Sequence, residues 1–182
     1  GVSDYLVRPI TEQILSDLIA KILIEKLGAP GSKLVACVGS KGGVGTSNIA
    51  YLLADTIATE SGQKTMLMDV AAGWSYLSVA MGTEATTTLH EVARASISSD
   101  KETFKRMIVP VNDKLSFLAT GAEPLFDDVV APDNLELILN RLMQTYPVVV
   151  LDLSRAPTSL LRTILSRANE VIVVATPTLP AL

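Results

Sequence analysis

The sequence predicts an α/β fold: a three-layer, mostly parallel, doubly wound sheet with helices on both faces. Three observations carry that expectation. Short apolar runs rich in β-branched residues recur at 34–38, 65–70, 115–119, 148–151 and 171–175, as strands buried on both faces do. Stretches with apolar residues at helical spacing alternate with them, the order that a three-layer α/β domain requires. Hydrophobic residues make up 48% of the chain and aromatics only 4%, so Val, Ile, Leu and Ala must fill the core, as they do where helices pack on a parallel sheet.

The first stretch, GVSDYLVRP, holds a short strand at Tyr5-Leu6-Val7. Thr11 then caps a helix whose apolar face is Ile14, Leu15, Leu18, Ile19, Ile22 and Leu23. One strand and one helix cannot bury each other's apolar faces, so residues 1–27 read as the tail of a domain whose body lies elsewhere. The breaker cluster Gly28-Ala29-Pro30-Gly31-Ser32 is the expected linker, and 33–182 the second domain.

That domain opens with the buried run Leu34-Val35-Ala36-Cys37-Val38. The run stops at Gly39-Ser40 and is followed by Lys41-Gly42-Gly43-Val44-Gly45-Thr46-Ser47 and a helical pattern through Ile49, Leu52, Leu53 and Ile57. Strand, glycine-rich turn and helix together are the geometry of a phosphate-binding loop. Glycines take backbone dihedrals closed to other residues. The N–H groups freed at such a turn form an anion nest, and the helix brings its positive end to the same anion. The general pattern G-x-x-x-x-G-K-[ST] is met only in part: Ser40 holds the first glycine position, Thr46 stands where the lysine belongs, and only Ser47 occupies the position of the Mg2+-binding hydroxyl. The one lysine, Lys41, comes five residues early.

The helix is expected over about 46–61, with Gly62-Gln63 turning the chain into the second strand, which ends at Asp69. A carboxylate at the carboxyl end of a parallel strand faces the crevice where open α/β sheets bind ligands. Ala72-Gly73-Trp74 reads as a switch-like loop, with Trp74 either a partner anchor or a packing residue. A short helix closes over 78–82, and Thr88 caps another over 89–95. His90 lies on it with no Cys, Asp or second His at ligand spacing, and so reads as a surface or capping residue. The polar stretch 98–106 is expected to be a solvated helix face. The third strand, 115–119, leads into a long loop, 120–133, where Asp127 and Asp128 read as solvated. Pro132-Asp133 opens a helix with apolar positions Leu135, Ile138, Leu139 and Leu142. The fourth strand, Val148-Val149-Val150-Leu151, ends in Asp152. An apolar strand closed by a carboxylate has the Walker B form, able to hold Mg2+ through water while Ser47 binds it directly. Arg155 can serve a phosphate or a surface ion pair. A helix over 160–168 and a strand over 171–175 complete the alternation.

Composition excludes other classes. The net charge is −4, with 15 Lys+Arg scattered among 19 Asp+Glu, so no basic footprint for nucleic acid or anionic membrane stands out. No apolar run approaches the length of a membrane span, and no signal peptide is visible. The single cysteine, Cys37, rules out a disulfide framework and an all-cysteine metal site, and its place inside a strand makes it a small core residue. A cytoplasmic protein is the default expectation.

The stretch Lys41-Gly42-Gly43-Val44-Gly45-Thr46-Ser47 resembles the deviant Walker A loop of the ParA/MinD/iron-protein class of P-loop ATPases, in which the early lysine reaches across a dimer interface to the partner's nucleotide. Threonine in place of the second lysine is similar to the CpaE/TadZ pilus-assembly branch, and the resemblance covers roughly Lys33 to the end of the chain. It implies ATP and Mg2+ as cofactors, with Lys41, Gly42, Gly43, Val44, Gly45, Thr46, Ser47 and Asn48 on the nucleotide. Ser47, Asp69 and Asp152 would serve the metal, and Lys41 and Asp69 the chemistry. The second acidic residue often found two positions after Asp69 in that class is Ala71 here. Residues 1–9 resemble the end of a response-regulator receiver domain, with Arg8 for the usual lysine, and CpaE-like proteins carry a receiver-like domain in this position. The iron-protein branch is excluded, because its cluster needs cysteines this chain lacks.

The resemblance therefore implies an ATP-binding protein of Tad-type pilus assembly, acting by nucleotide-dependent dimerisation and localisation of pilus secretion proteins. It would be cytoplasmic, polar or at the inner face of the membrane through partners, with weak or absent hydrolysis and no direct DNA binding. Two other readings stand beside it: an active partitioning or positioning ATPase of the same fold, and a nucleotide-free scaffold.

Overall fold

Every residue from Leu34 to Cys37 is buried, because strand β1 (Lys33–Gly39) takes a parallel neighbour on each side: β5 (Val148–Asp152) and β6 (Glu170–Val174). The computed structural model describes residues 31–71, 73, 76–84, 86–98, 101–121 and 130–177. Among them the sheet has six strands in the order β3-β4-β2-β5-β1-β6, with β2 at Thr65–Asp69, β3 at Val109–Pro110 and β4 at Leu115–Ala119. All neighbours are parallel except β3 and β4. The expected doubly wound α/β fold is the observed one.

Alternate residues along each strand serve opposite faces, and two cores result. On one face α1 (Thr46–Glu60) lays Ala50, Leu53, Ala54 and Ile57 against Val35, Cys37, Leu67, Phe117 and Val150, with α2 (Tyr76–Ala80) adding Leu77. On the other face stand α3 (Leu89–Ile97), α4 (Lys101–Arg106), α5 (Pro132–Met143) and α6 (Thr158–Arg167). They cover Ala36, Met66, Met68, Leu118, Val149 and Leu151. The helix predicted from Pro132 buries Leu135, Ile138, Leu139 and Leu142 as its spacing requires, with Pro132 at its start. Thr88 caps α3 in a full capping box: the Glu91 N–H donates to its hydroxyl at 3.1 Å and its own N–H donates to Glu91 Oε2 at 2.9 Å.

Two features depart from the sequence reading. Strand β3 was not expected. Two residues are too few for period-2 alternation to register, and Pro110 is tolerated because β3 pairs only with β4 at the sheet's edge. The polar stretch 98–106 is not one solvated helix face. Ser98 terminates α3, and α4 buries Phe104, whose ring lies 5.8 Å from the Arg141 guanidinium carbon. The 1–27 domain and Trp74, Asp127 and Asp128 lie outside the described residues, as does all of the 28–32 linker but Gly31 and Ser32.

The topology fixes where a ligand can bind. The connection leaving β1 passes β5 to reach β2, whereas the one leaving β5 passes β1 to reach β6. The chain therefore departs in opposite directions from the neighbours β1 and β5, and a crevice opens outside their carboxyl ends.

Phe117, fully buried in the middle of β4, faces the α1 layer. Phe117→Ala is expected to cost about 3–5 kcal/mol of stability, read as a fall in the urea midpoint at constant slope.

Candidate functional site

The turn after β1 folds as its glycines dictate. Gly43 and Gly45 sit at φ +80 and +92, a region open to glycine and costly for other residues. Gly45 is the N-cap of α1 and offers no side chain to the helix, whose first turn also lacks an acidic residue. The intrahelical ladder starts with the Ile49 N–H on the Gly45 carbonyl at 3.0 Å. The N–H groups of Thr46, Ser47 and Asn48 are thus the donors that a helix start leaves for an outside partner, at the positive end of a 15-residue helix.

Within the loop the predicted residues are placed differently. Lys41, Gly42 and Gly43 are exposed, and Val44 and Thr46 are buried. Thr46 turns its hydroxyl back against β1: a Cβ on Gly39 would collide with Thr46 Oγ1, and would also lie 3.0 Å from Val44 Cγ2 and 3.1 Å from the Lys41 carbonyl oxygen. Only glycine at position 39 lets the loop close this tightly over the strand. The Asn48 side chain is exposed and lines a groove of about 340 Å3 between α1, α2 and β3, with Tyr51, Leu77, Met81, Val109 and Pro110. Its N–H belongs with the helix-start donors.

The two carboxylates converge on the same end of the sheet. The register pairs Asp152 with Cys37 on one side and with Asp69 on the other, and in-register residues of parallel strands share a face. Asp69 is 2% exposed and Asp152 0%. The hydroxyl of Thr120, the residue after β4, donates to the Asp69 carbonyl at 2.6 Å and accepts from the Ala71 N–H at 3.4 Å, which pins the end of β2. Ala71 itself is wholly buried, so a carboxylate in its place would enter the core. Burial, with the Asp152 carboxylate beside it, pushes the Cys37 thiol far above its ordinary pKa and keeps it an inert core residue.

Ser47 joins this group through a residue the sequence reading passed over. Ser47 Oγ lies 3.0 Å from Ser154 Oγ. Ser154 in turn donates its N–H to Asp152 Oδ1 at 2.9 Å and its hydroxyl to Asp152 Oδ2 at 3.2 Å. An Asp whose carboxylate caps the N–H two residues on is an Asx turn, so the run Asp152-Leu153-Ser154 after an apolar strand carried a legible signal. Thr120, by contrast, follows β4 with no local cue to a role.

Hydroxyl and carboxylate oxygens are the hard donors that Mg2+ takes. Among the described residues no group of three or more His, Cys, Asp or Glu could hold a metal by itself. Mg2+ commonly needs no such cage, since it keeps several waters and shares its coordination with substrate phosphates. The residues present therefore fit a cation that arrives with a phosphate ligand.

The family model described as "Cellulose biosynthesis protein BcsQ" matches residues 32–181. The septum site-determining protein MinD of Thermotoga maritima is 24% identical over 151 residues, covering 82% of this chain and 54% of the MinD sequence. The chain thus spans about half the length of that curated relative. A ParA family ATPase from Chlorobium tepidum superposes with a TM-score of 0.70 at 20% identity, over 83% of this chain and 63% of the other. MinD from Pyrococcus horikoshii, solved with Mg-ADP, superposes with a TM-score of 0.63 at 20% identity, over 82% and 60%. At these identities the solved structures speak for the fold.

The packing of Thr46 on Gly39 can be measured. Gly39→Ala is expected to destabilise the domain by about 1–3 kcal/mol through overpacking. Adding Thr46→Ala, which removes the colliding hydroxyl, should recover part of that loss. A double-mutant cycle by chemical denaturation is expected to give a coupling of about 0.5 kcal/mol or more.

Proposed function

The chain belongs to the family described as cellulose biosynthesis protein BcsQ, within the ParA/MinD-type ATPases, and from that premise we propose that it binds ATP with Mg2+ outside β1 and β5, dimerises when it does so, and hydrolyses the nucleotide slowly. One observation carries the reading. The glycine loop, the start of α1 without a side-chain cap, and the end of β5 meet at one place, with Ser47 linked through Ser154 to Asp152.

The proposed roles follow from position. The N–H groups over Lys41–Ser47 wrap the phosphates. Ser47 is a direct ligand to Mg2+, and Asp152 holds the cation's water ligands. Asp69 sits across the register from Asp152, where it would orient both the cation and the attacking water. The exposure of Lys41 on the loop supports the role proposed for it, reaching the nucleotide of a second copy. Bound Mg-ADP in the Pyrococcus horikoshii MinD structure supports the cofactor class.

Slow turnover rests on Thr46. A lysine there would donate a charged hydrogen bond worth about 1.5–3 kcal/mol, or roughly ten- to hundredfold in affinity. Its charge would also oppose the charge that develops in the transition state, where preorganised donors count most. Thr46 instead packs its short side chain on Gly39. The N–H nest, Ser47 and the cation remain, and they support affinity in about the micromolar range.

For the cellular role we propose assembly of a pilus in the manner of the CpaE/TadZ proteins, supported by Thr46 after the Lys41 loop and by the receiver-like tail read in 1–27. On that proposal 33–182 is the nucleotide-binding domain, and the protein works in the cytoplasm, reaching the membrane through secretion partners. Among the described residues no helix is long and apolar enough to cross a membrane. The family's own description favours a second role, in cellulose biosynthesis. Co-purification with pilus or with cellulose biosynthesis components separates the two.

Calorimetry should give Mg2+-dependent ATP binding, and Thr46→Lys should tighten it about tenfold or more. The absence of binding would favour the scaffold reading. A wild-type turnover of about 1 per second or faster would favour an active partitioning ATPase.

Lys41→Ala should leave nucleotide binding by the monomer in place and weaken the ATP-dependent dimer, as sedimentation with and without ATP would show. An unchanged dimer contradicts the role given to Lys41.

A further inference from the structure

We propose that Ser154 is a positioning residue of the cation site: its hydroxyl relays the pull of the Asp152 carboxylate to Ser47 and aims the Ser47 oxygen at Mg2+. The inference rests on the nucleotide reading above and concerns how this chain completes that site.

A serine hydroxyl has one proton and two lone pairs. The Ser154 proton goes to Asp152 Oδ2 at 3.2 Å. Ser154 must therefore accept in its 3.0 Å contact with Ser47, and Ser47 is the donor. With its proton directed at Ser154, the Ser47 lone pairs are left for a cation. A hydroxyl that ligates a metal needs such an outlet for its proton, and partners of this outer shell fix ligand orientation and raise ligand basicity. Here the Asp152 carboxylate acts on Ser47 through the intervening hydroxyl.

A turn alone does not account for the arrangement. The Asx turn needs only the Ser154 N–H on Asp152 Oδ1, which any residue but proline would supply. The second bond to Asp152 and the contact with Ser47 use the hydroxyl, which Ser or Thr supplies without lengthening the side chain. Asp152 is fully buried and both of its oxygens are held by this one residue. The carboxylate is thus fixed in orientation while keeping lone pairs for the cation's water ligands. Ser154 itself is exposed at the mouth of the crevice, so removing its hydroxyl leaves no cavity in the core.

The test is ADP binding followed by calorimetry on the whole chain across a series of free Mg2+ concentrations and in EDTA. Ser154→Ala is expected to weaken the apparent Mg2+ affinity about 10–100-fold, leave ADP binding in EDTA unchanged, and be rescued by Ser154→Thr. A Ser154→Ala variant with the wild-type Mg2+ dependence overturns the relay, as does a Ser154→Thr variant impaired equally with Ser154→Ala. Wild-type protein that binds no ADP at any Mg2+ concentration overturns the nucleotide reading, and the relay with it. Normal wild-type binding beside an unaffected Ser154→Ala variant removes the relay alone.

Discussion

Strand β5 lies between β1 and β2, and its register with both aligns the two carboxylates of the site. Cys37, Asp152 and Asp69 stand in line across three parallel strands. A slip of β5 by one residue would turn Asp152 to the opposite face and put Leu151 in its place. The register is held because both faces of the strand are buried: Val148 and Val150 pack toward α1, and Val149 and Leu151 toward the opposite helices. The ladder continues past the strand ends, with the Leu153 N–H on the Cys37 carbonyl at 2.9 Å and the Val70 N–H on the Asp152 carbonyl at 3.1 Å. Hydrophobic packing far from the crevice thus decides which oxygens face it.

Asp69 and Asp152 are buried side by side in register, and buried polar groups need partners. Part of that partnering is local: Ser154 gives the Asp152 carboxylate two hydrogen bonds, one to each oxygen. The remainder fits the proposed ligand, whose cation would sit between these carboxylates and the phosphates bound at the start of α1. Opposite charges meet there, with the helix start favouring the anion and the strand ends the cation.

The sheet was legible because its central strands are apolar on both faces, so the runs at 34–38, 65–69, 115–119 and 148–152 carry their own signal. Strand β3 was not, since two residues show no alternation and its partner is chosen by tertiary packing. Lys41–Ser47, Asp69 and Asp152 could be named from glycine spacing and strand-end carboxylates. That they meet at the carboxyl ends of 34–39, 65–69 and 148–152 follows from the same strand-end rule, whereas the strand order, with β5 between β2 and β1, has no local signal. The inward turn of Thr46 is likewise a matter of packing, absent from any motif.

On the proposed function, phosphate and cation bind together at the ends of β1 and β5. Amide hydrogen exchange with and without Mg-ADP tests it directly, because the proposed ligands are largely N–H groups. The account predicts slowed exchange across 41–48 and at 152–154, with no change in 77–81 and 109–111 beside the groove on α1. Protection confined to the groove, or none across 41–48 at saturating Mg-ADP, would contradict it.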